Sequence, residues 1–253
     1  MKKGNVLSLI SFFGVWEVVG QWQLVDPLFL PAPTVILAEA WKLTCSGELF
    51  THISVSLYRA GMGYGLGALI GVGLGVIVGW SRRLEEYVDP LIEMIRPISP
   101  IALLPLMILW FGMGNSSKVI IIFKASLFPI LLNTIAGVKG VDIKLIQAAK
   151  TLGANQRQVF CKIILPASLP MVLTGLRIST ALAMLAIVGV EMLAAESGLG
   201  YLLVEAERVF DTPKMFVGLL VLGILGYLWD RLVRFAQNRI LLWHRQTTLE
   251  GEI

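Results

Sequence analysis

The chain has 253 residues, of which 56% are hydrophobic and only 15% are charged. Soluble domains average about 25% charged and about 45–50% apolar residues, so this composition excludes an ordinary soluble protein and indicates a chain that places apolar surface against lipid. The formal net charge is +4, but the basic residues lie between apolar runs without interleaved stacking aromatics, which argues against a nucleic-acid-binding face.

Six apolar runs are candidate membrane-spanning helices, each of which needs about 20 predominantly apolar residues. The third run contains Pro100 and Pro105 and follows Pro97, so we expect it to be kinked or partly broken. The first run follows Lys2 and Lys3 as a secretory signal would, but no small-residue cleavage pattern comes after it, which predicts an uncleaved span. In chain order the runs cover residues 6–19, 60–80, 98–111, 119–137, 171–194 and 216–233.

The distribution of basic residues favours one orientation in the membrane. With the amino terminus inside, most of the 21 lysines and arginines fall on the cytoplasmic side, so the positive-inside rule predicts both termini in the cytoplasm. On the outer side, the prolines of Leu30-Pro31-Ala32-Pro33 predict a stiff turn, after which Thr34 caps a helix over residues 35–43. That helix has apolar residues near one face and is expected to lie on the outer membrane surface.

Glycines recur throughout the second apolar run. Gly63 and Gly67 are four residues apart, as are Gly71 and Gly75, and this spacing predicts close packing against another helix in lipid. The run from Gly63 also matches a loose dinucleotide-binding fingerprint, but no soluble strand precedes it and no acidic residue follows at the required distance, so helix packing is favoured. The chain has no Walker-type Gly-x-x-x-x-Gly-Lys-Ser/Thr motif, so any ATP hydrolysis that drives it belongs to another chain.

The segment between the fourth and fifth runs predicts two short helices joined by a tight turn. Asp142 is a good N-cap for a helix over residues 143–152, and Gly153 supplies the left-handed residue that ends it. Asn155 caps a second helix, which we expect Pro166 to terminate. The segment holds no nucleophile–base pair and no pair of carboxylates, which argues against catalysis there.

This segment resembles the Glu-Ala-Ala…Gly…Ile-x-Leu-Pro loop in the permeases of binding-protein-dependent ABC importers. In that family the first short helix is the coupling helix, which docks in a groove of the ATPase subunit, and small residues such as Ala148 and Ala149 allow close docking. Gln147 stands where the family usually has Glu, so a salt bridge from this position is excluded. The likeness places the coupling residues at Gln147, Ala148, Ala149, Gly153, Ile163, Leu165 and Pro166.

Further short motifs resemble those of the same family and occur in the same order along the chain. Each motif is weak alone, but the ordered set is similar to the branch that includes nitrate, sulfonate, taurine and bicarbonate permeases, and it covers about residues 29–232. The motifs are Leu30-Pro31-Ala32-Pro33, Pro97-Ile98-Ser99-Pro100, Pro105-Leu106, Trp110-Phe111-Gly112-Met113-Gly114, Asn133-Thr134, Gly137-Val138, Gly175-Leu176-Arg177, Glu191 and Gly198-Leu199-Gly200.

The resemblance implies an all-α, polytopic membrane protein with six transmembrane helices, a short cytoplasmic coupling helix and both termini in the cytoplasm. Residues 1–55 would hold the first transmembrane helix and the outer interfacial helix. Residues 56–240 would form the permease core of five transmembrane helices, including the coupling loop over residues 141–166. Residues 241–253 would be a cytoplasmic tail.

The resemblance also implies a function. The chain would be the permease subunit of an ATP-binding-cassette importer in the inner (cytoplasmic) membrane of a prokaryote, forming a homodimer with two ATPase subunits inside and an extracytoplasmic solute-binding protein outside. It would be non-catalytic and hold no cofactor, because the ATPase binds ATP and magnesium. The expected substrate is a small organic or inorganic anion, of the alkanesulfonate, taurine or nitrate class, with a vitamin precursor as the alternative. An ion-gradient-driven secondary transporter or channel is the alternative mechanism, although the sequence shows no convincing internal repeat.

Four charged residues lie in or at the edge of the apolar runs and are candidates for the pathway or for an intramembrane ion pair. These residues are Glu17, Lys124, Arg177 and Glu191. Arg177 is the strongest candidate for attracting an anion or stabilising a dimer. Ordinary alternatives are an internal ion pair of Arg177 with Glu17 or Glu191, or a side chain that extends to the membrane interface, and we weigh these ahead of the pathway role.

The potential metal ligands do not suggest a site. The chain has two histidines, His52 and His244, and two cysteines, Cys45 and Cys161, without metal-ligand spacing. We expect all four to be ordinary solvated or interfacial residues, with the cysteines unpaired on opposite sides of the membrane. A membrane-embedded enzyme would need clustered acidic, histidine or serine–histidine groups at one depth, and histidines on opposite sides cannot supply them.

Overall fold

The computed structural model describes residues 3–240, with side chains from residue 11 onward, so the predicted tail over residues 241–253 and Lys2 lie outside the described residues. The described chain is helical, and no β-strand occurs between residues 3 and 240. The helices are α1 (Lys3–Gln21), α2 (Pro33–Cys45), α3 (Glu48–Trp80), α4 (Arg82–Ile95), α5 (Leu104–Phe111), α6 (Asn115–Lys139), α7 (Ile143–Thr151), α8 (Gln156–Val159), α9 (Leu165–Ala194), α10 (Leu199–Arg208) and α11 (Thr212–Ile240).

Four helical stretches within the described residues are long and apolar enough to cross a membrane. They are α3, α6, α11 and the continuous helix Gln156–Ala194, which joins α8 to α9. The apolar helix Ile101–Phe111 is shorter, because the segment that carries Pro97 and Pro100 is not helical and only a 3₁₀ turn precedes α5. The chain is therefore all-α with several apolar spans, while the count of six spans stays a prediction.

The expected helix end at Pro166 is wrong. The helix that Asn155 caps runs through Pro166 and on to Ala194. A π-helical turn at Phe160–Ile164 lies just before this proline. The wider i→i+5 turn accommodates a residue that lacks an N–H and whose ring collides with the turn before it, so the proline does not end the helix.

Two amphipathic helices, α4 and α10, were not among the predicted elements. They were missed because the sequence search followed long apolar runs, whereas these helices carry charged residues along one side. Ser81 caps α4 by accepting a hydrogen bond from the Leu84 N–H at 3.4 Å. The apolar side of α10 packs inward, with Leu202 buried, whereas α4 buries Ile92 but leaves Tyr87 and Met94 exposed.

Two compact units divide the described chain, and one of them comprises residues 59–187 and 226 onward. In this unit α3 packs on α6 through glycines, as their spacing predicted. The two residues of each facing pair are separated by the same number of positions in the sequence, so residue numbers rise together along α3 and α6 and the two helices run in the same direction. A Cβ at Gly75 would lie 2.5 Å from the Cβ of Thr134, which shows how closely the backbones approach. The facing pairs are Gly63 and Ile122, Gly67 and Ser126, Gly71 and Ile130, Gly75 and Thr134, and Gly79 and Val138.

Helix α9 packs on the same α6 helix in the opposite direction. Gly137 of α6 contacts Met171 near the start of α9, and Asn133 contacts Gly175 further along α9. Successive membrane spans alternate in direction, so the second and fourth predicted spans should run in the same direction and the fifth in the opposite one. The directions of α3, α6 and α9 agree with this order. Which end faces the cytoplasm stays a prediction.

The other unit comprises the described residues up to Tyr58 together with Val188–Leu225. Its core contains Ile36 and Leu43 of α2, packed with residues of α10 and α11. The helix predicted over residues 35–43 is therefore present but not a simple surface helix. Its N-cap residue is Ala32 rather than Thr34, because Pro33 already occupies the first helical position.

Candidate functional site

The first predicted helix of the loop between α6 and α9 forms as α7. The Asp142 Oδ1 atom accepts a hydrogen bond from the Lys144 N–H at 2.8 Å, which caps the helix at its start. Gly153 adopts φ +82°, a left-handed conformation that glycine tolerates, and the chain turns there. The Ala154 N–H then donates to the Ala149 carbonyl at 3.0 Å. Both local predictions, the cap and the glycine turn, are confirmed.

The second half of the loop is capped just as firmly. The Gln158 N–H donates to Asn155 Oδ1, and the Asn155 N–H donates to Gln158 Oε1, each at 2.8 Å. This reciprocal capping box satisfies two of the free N–H groups at the helix start. The helix then continues into α9, so α7 is connected to the longest apolar helix by the single turn Leu152–Asn155.

The two sides of α7 have different environments. Ile146 and Ala149 pack against a small buried cluster of Val138, Val159 and Ile164 within the same unit. The small side chain of Ala149 therefore packs against its own chain, and its docking to a partner stays a prediction.

The opposite side of α7 is open. Gln147 and Ala148 are exposed, as are Ile143, Leu145 and Leu152, and Leu152 has 88% of its surface accessible. Apolar residues this exposed on a well-capped helix are typical of a surface that binds a partner.

The predicted coupling residues therefore divide into two groups. Gln147, Ala148 and Gly153 are exposed at the loop surface. Ala149 is half-buried, and so are Ile163, Leu165 and Pro166, which lie at the π-helical turn and the start of α9. The phenyl ring of Phe160 in this turn contacts Trp80 at the end of α3, with ring centroids 4.8 Å apart. The second group therefore lies on the side of the loop that packs against the chain's own helices.

Arg177 forms an ion pair, but with a residue that the sequence analysis did not name. Its Nε atom donates to Asp230 Oδ1 of α11 at 3.3 Å. Asp230 Oδ2 also accepts from Arg234 Nε at 2.7 Å. The partners suggested for Arg177, Glu17 and Glu191, make hydrogen bonds of their own in the other unit. Nothing in the sequence marked Asp230, because it lies 53 residues away from Arg177.

Glu17 organises the junction of α1 and α2. Its Oε1 atom accepts from the Thr34 hydroxyl at 2.7 Å and from Gln21 Nε2 at 2.9 Å, and its Oε2 atom accepts from the Thr34 N–H at 3.0 Å. The carboxylate therefore satisfies the start of α2 in place of the predicted Thr34 cap. These contacts indicate a structural role for Glu17.

Lys124 is buried, with only 9% of its surface exposed. Its ammonium group donates to the backbone carbonyl of Ile98 and lies 5.7 Å from the centre of the Phe128 ring. Within the described residues Lys124 has no carboxylate partner. Its charge is therefore not balanced by an acidic side chain.

Glu191, only 1% exposed, is the centre of a buried polar cluster. Its carboxylate accepts from the Ser56 hydroxyl at 2.8 Å and from the Gly200 N–H at 3.0 Å. The Ser56 oxygen in turn accepts from the Leu199 N–H at 2.8 Å, and His52 Nδ1 accepts from the Gly198 N–H at 3.0 Å. These contacts hold the turn between α9 and α10 against α3.

Sequence reasoning missed Ser56 and misjudged His52, which is buried rather than solvated. The acidic residue shortly before a Gly-Leu-Gly turn could have signalled that a carboxylate holds the turn, but it could not have indicated partners some 135 residues away in the sequence.

One group of possible metal ligands lies near this cluster. Ligand atoms of Glu48, His52 and Glu205 are within 4.8 Å of one another. The Lys214 ammonium, however, lies 2.7 Å from Glu48 and 3.1 Å from Glu205. The ammonium group therefore already contacts both carboxylates, and we assign no metal to this group.

A family of membrane transport proteins and a solved structure both resemble this chain. The "Binding-protein-dependent transport system inner membrane component" family matches residues 67–242 of the chain. A structure of the MetNI methionine ABC transporter in an inward-facing conformation has the same fold, with a TM-score of 0.66 and 22% identity, covering 78% of this chain and 96% of that one.

Curated relatives match over almost the full length. The chain is 38% identical over 241 residues to the putative aliphatic sulfonates transport permease protein SsuC of Bacillus subtilis (strain 168), covering 95% of this chain and 87% of that protein. It is 37% identical over 247 residues to the taurine transport system permease protein TauC of Escherichia coli (strain K12), covering 95% and 89%. It is 33% identical over 240 residues to the formylaminopyrimidine transport permease protein ThiX of Halalkalibacterium halodurans, covering 95% of each. The chain therefore belongs to the binding-protein-dependent transport system inner membrane component family and is a permease subunit of an ABC importer.

Proposed function

We propose that this permease conducts a short-chain organic sulfonate or a taurine-like anion into a prokaryotic cell, driven by ATPase subunits that bind at α7. In this proposal the chain spans the inner membrane six times, has both termini in the cytoplasm and functions as a homodimer. An extracytoplasmic binding protein delivers the substrate. The chain itself performs no covalent chemistry, because ATP and magnesium are held by the partner.

The observation that carries the coupling proposal is the two-sided environment of α7. One side is fixed by packing of Ile146 and Ala149. The other side presents the exposed side chains of Ile143, Leu145 and Leu152. A short helix whose position is set by its own chain, and whose exposed residues combine apolar side chains with polar ones such as Lys144 and Gln147, is suited to insert into a groove of another protein and to transmit its displacement.

Two considerations favour an anionic substrate. Relatives matched over nearly their whole length carry the names of aliphatic sulfonate and taurine permeases. In addition, Lys124 is a buried cation without an acidic partner in the described part of the chain. The relative named for formylaminopyrimidine keeps a vitamin precursor as the second candidate substrate.

Co-purification with the ATPase subunit tests the coupling proposal. Ala148→Arg places a bulky charge on the exposed side of α7 and is expected to abolish co-purification. Ser116→Arg, at an exposed position in the first turn of α6, is the matched control and should leave co-purification intact. Ala149→Arg is a poorer probe, because it would also disrupt the chain's own packing.

Two results would contradict the proposal. If Ala148→Arg binds the ATPase as well as the unchanged protein does, α7 is not the docking helix. If the unchanged protein binds no ATPase and moves solutes along an ion gradient in liposomes, the secondary-transporter alternative replaces coupling to ATP. The substrate class is tested separately, by comparing the uptake of a labelled alkanesulfonate with the uptake of labelled formylaminopyrimidine.

A further inference from the structure

A cavity of about 340 Å³ lies among α6, α9 and the non-helical segment before α5, within the unit that contains residues 59–187. Two basic side chains, Arg96 and Lys124, line it, and none of its lining residues is acidic. Most of the remaining wall is apolar and includes Phe128, Leu182 and Leu185. Its volume is at the lower end of the range of about 300–1,000 Å³ that is usual for small-molecule sites.

The charge balance of this cavity is uneven. Arg96 has an acidic neighbour, since its Nη2 atom lies 3.3 Å from Glu93 at the surface. Lys124 is nine-tenths buried, and among the residues that the structure describes its partners are the Ile98 carbonyl and the Phe128 ring. The Ile98 carbonyl lies in the non-helical segment 97–100, so it needs a hydrogen-bond donor from outside that segment. A neutral side chain could donate that hydrogen bond as well as Lys124 does. A buried ammonium group without a counter-ion is costly, and such a group in a membrane span usually has a function.

We propose that this cavity is a transient binding site for the anionic head group of the transported solute, which supplies the missing counter-charge to Lys124. This inference rests on the proposed function, and it specifies the solute as a short alkyl chain with a sulfonate group. The three sulfonate oxygens accept hydrogen bonds, and the ammonium and guanidinium groups donate them. The alkyl portion contacts Phe128, Leu182 and Leu185.

The sparse polar lining suits a pathway rather than a storage site. Apart from the two cations, Ser99 is the only one of the described lining residues with a polar side chain. A few charge contacts bind an anion selectively without binding it tightly, and a solute that must leave again requires weak binding. The same lining would discriminate against cations, because Arg96 and Lys124 repel them.

Thiol labelling at Ser99→Cys measures this charge selectivity directly. Ser99 is exposed and lines the cavity, and cysteine is nearly the same size as serine. The variant is made with Cys45→Ser and Cys161→Ser, which remove the two free exposed thiols. Labelling rates are compared for anionic sulfonatoethyl methanethiosulfonate and cationic trimethylammonioethyl methanethiosulfonate. Ser116→Cys, on α6 but outside the cavity, is the control.

We expect the anionic reagent to be favoured at Ser99→Cys more than at Ser116→Cys. Adding Lys124→Gln should lower the anion-to-cation rate ratio at Ser99→Cys about tenfold, from Coulomb energies at a partly screened site, while Lys124→Arg should retain it. Neither change should alter the ratio at Ser116→Cys. Propanesulfonate should also protect Ser99→Cys from labelling, and propanamide should not.

The inference is overturned if the ratio at Ser99→Cys equals that at the control, if Lys124→Gln leaves it unchanged, or if neither reagent reaches Ser99→Cys. Should Lys124→Gln fail to assemble, the comparison of the two cysteine positions and the protection by propanesulfonate still decide the question. The outcome is independent of coupling, because labelling needs no ATPase. Loss of co-purification with retained anion selectivity would refute only the coupling proposal, and the reverse result would refute only the cavity.

Discussion

The Gly200 N–H donates a hydrogen bond to the Glu191 carboxylate at 3.0 Å, across the turn that joins α9 to α10. The same carboxylate accepts from the Ser56 hydroxyl at 2.8 Å. An ionised carboxylate is suited to this position because it only accepts hydrogen bonds, and both of these neighbours are donors. A single buried side chain therefore fixes the turn and the start of α10.

Replacing this carboxylate tests its structural role. Glu191→Gln leaves one oxygen to accept from the Ser56 hydroxyl and the Gly200 N–H, but it replaces the other oxygen, which also accepts from Ser56 at 3.0 Å, with an NH₂ donor, so that hydrogen bond and the negative charge are lost. We expect the free energy of unfolding to fall by about 1–3 kcal/mol, measured by thermal or chemical denaturation of the purified protein. Glu39→Gln, at a surface pair with Lys42 in α2, should change it by less than about 0.5 kcal/mol. Equal effects of the two variants would contradict this role.

The glycine contacts between α3 and α6 predict opposite results for two nearby positions. A Cβ at Gly75 would overlap Thr134, whereas a Cβ at Gly73 would meet no atom within 4 Å. Gly75→Ala should destabilise the protein by about 1–3 kcal/mol through overpacking. Gly73→Ala should be neutral or stabilise it by up to about 1 kcal/mol, because alanine favours the helix. Thermal unfolding of both variants in the same detergent would measure the difference, and a stable Gly75→Ala variant would refute the close packing.

The cap of α7 can be weakened without touching its exposed side. Asp142→Ala removes the acceptor for the Lys144 N–H and should cost about 1 kcal/mol of local helix stability. If α7 binds the ATPase, the alanine variant should show less transport-coupled ATP hydrolysis. Its α7 helix is less stable, so part of the free energy of binding to the ATPase is used to order the helix. Asp142→Asn keeps a capping oxygen and should behave like the unchanged protein. Identical coupling in the alanine and asparagine variants would show that α7 order is unimportant.

The pair of Arg177 with Asp230 distinguishes a structural ion pair from a pathway residue. Both side chains are partly exposed, with 45% and 30% of their surfaces accessible, so a double-mutant cycle of Arg177→Gln and Asp230→Asn should give a coupling energy of about 0–1 kcal/mol. If the pair is structural, both single variants should lower transport similarly and the double variant should be no worse. If Arg177 contacts the solute, only Arg177→Gln should reduce uptake.

Local rules in the sequence were sufficient for the caps and the turn of the loop between α6 and α9. The Asp142 cap, the Gly153 turn and the Asn155 cap depend on residues within five positions of one another, so their chemistry can be recognised without the fold. The glycine spacing in α3 likewise predicted close packing. It could not identify α6 as the partner, because periodicity on one helix says nothing about which other helix approaches it.

Predictions that depended on distant contacts, or on an irregular helical turn, were less successful. Pro166 reads as a helix end, yet the π-helical turn before it allows the helix to continue. The partner of Arg177 was not foreseen, and His52 was expected to be solvated. The charged helices α4 and α10 were missed because their identity depends on which side the fold buries, and overall hydrophobicity does not reveal this.

The close contact of α3 and α6 also limits how the molecule can move. At five successive turns a glycine of α3 lies against a residue of α6, with no α3 side chain between the backbones. Sliding either helix along its axis would drive the Cβ atoms of α6 into the backbone of α3, so the helices cannot shift past each other in small steps. The two helices therefore move together as one rigid body. Any conformational change during transport has to occur at contacts other than the α3–α6 contact.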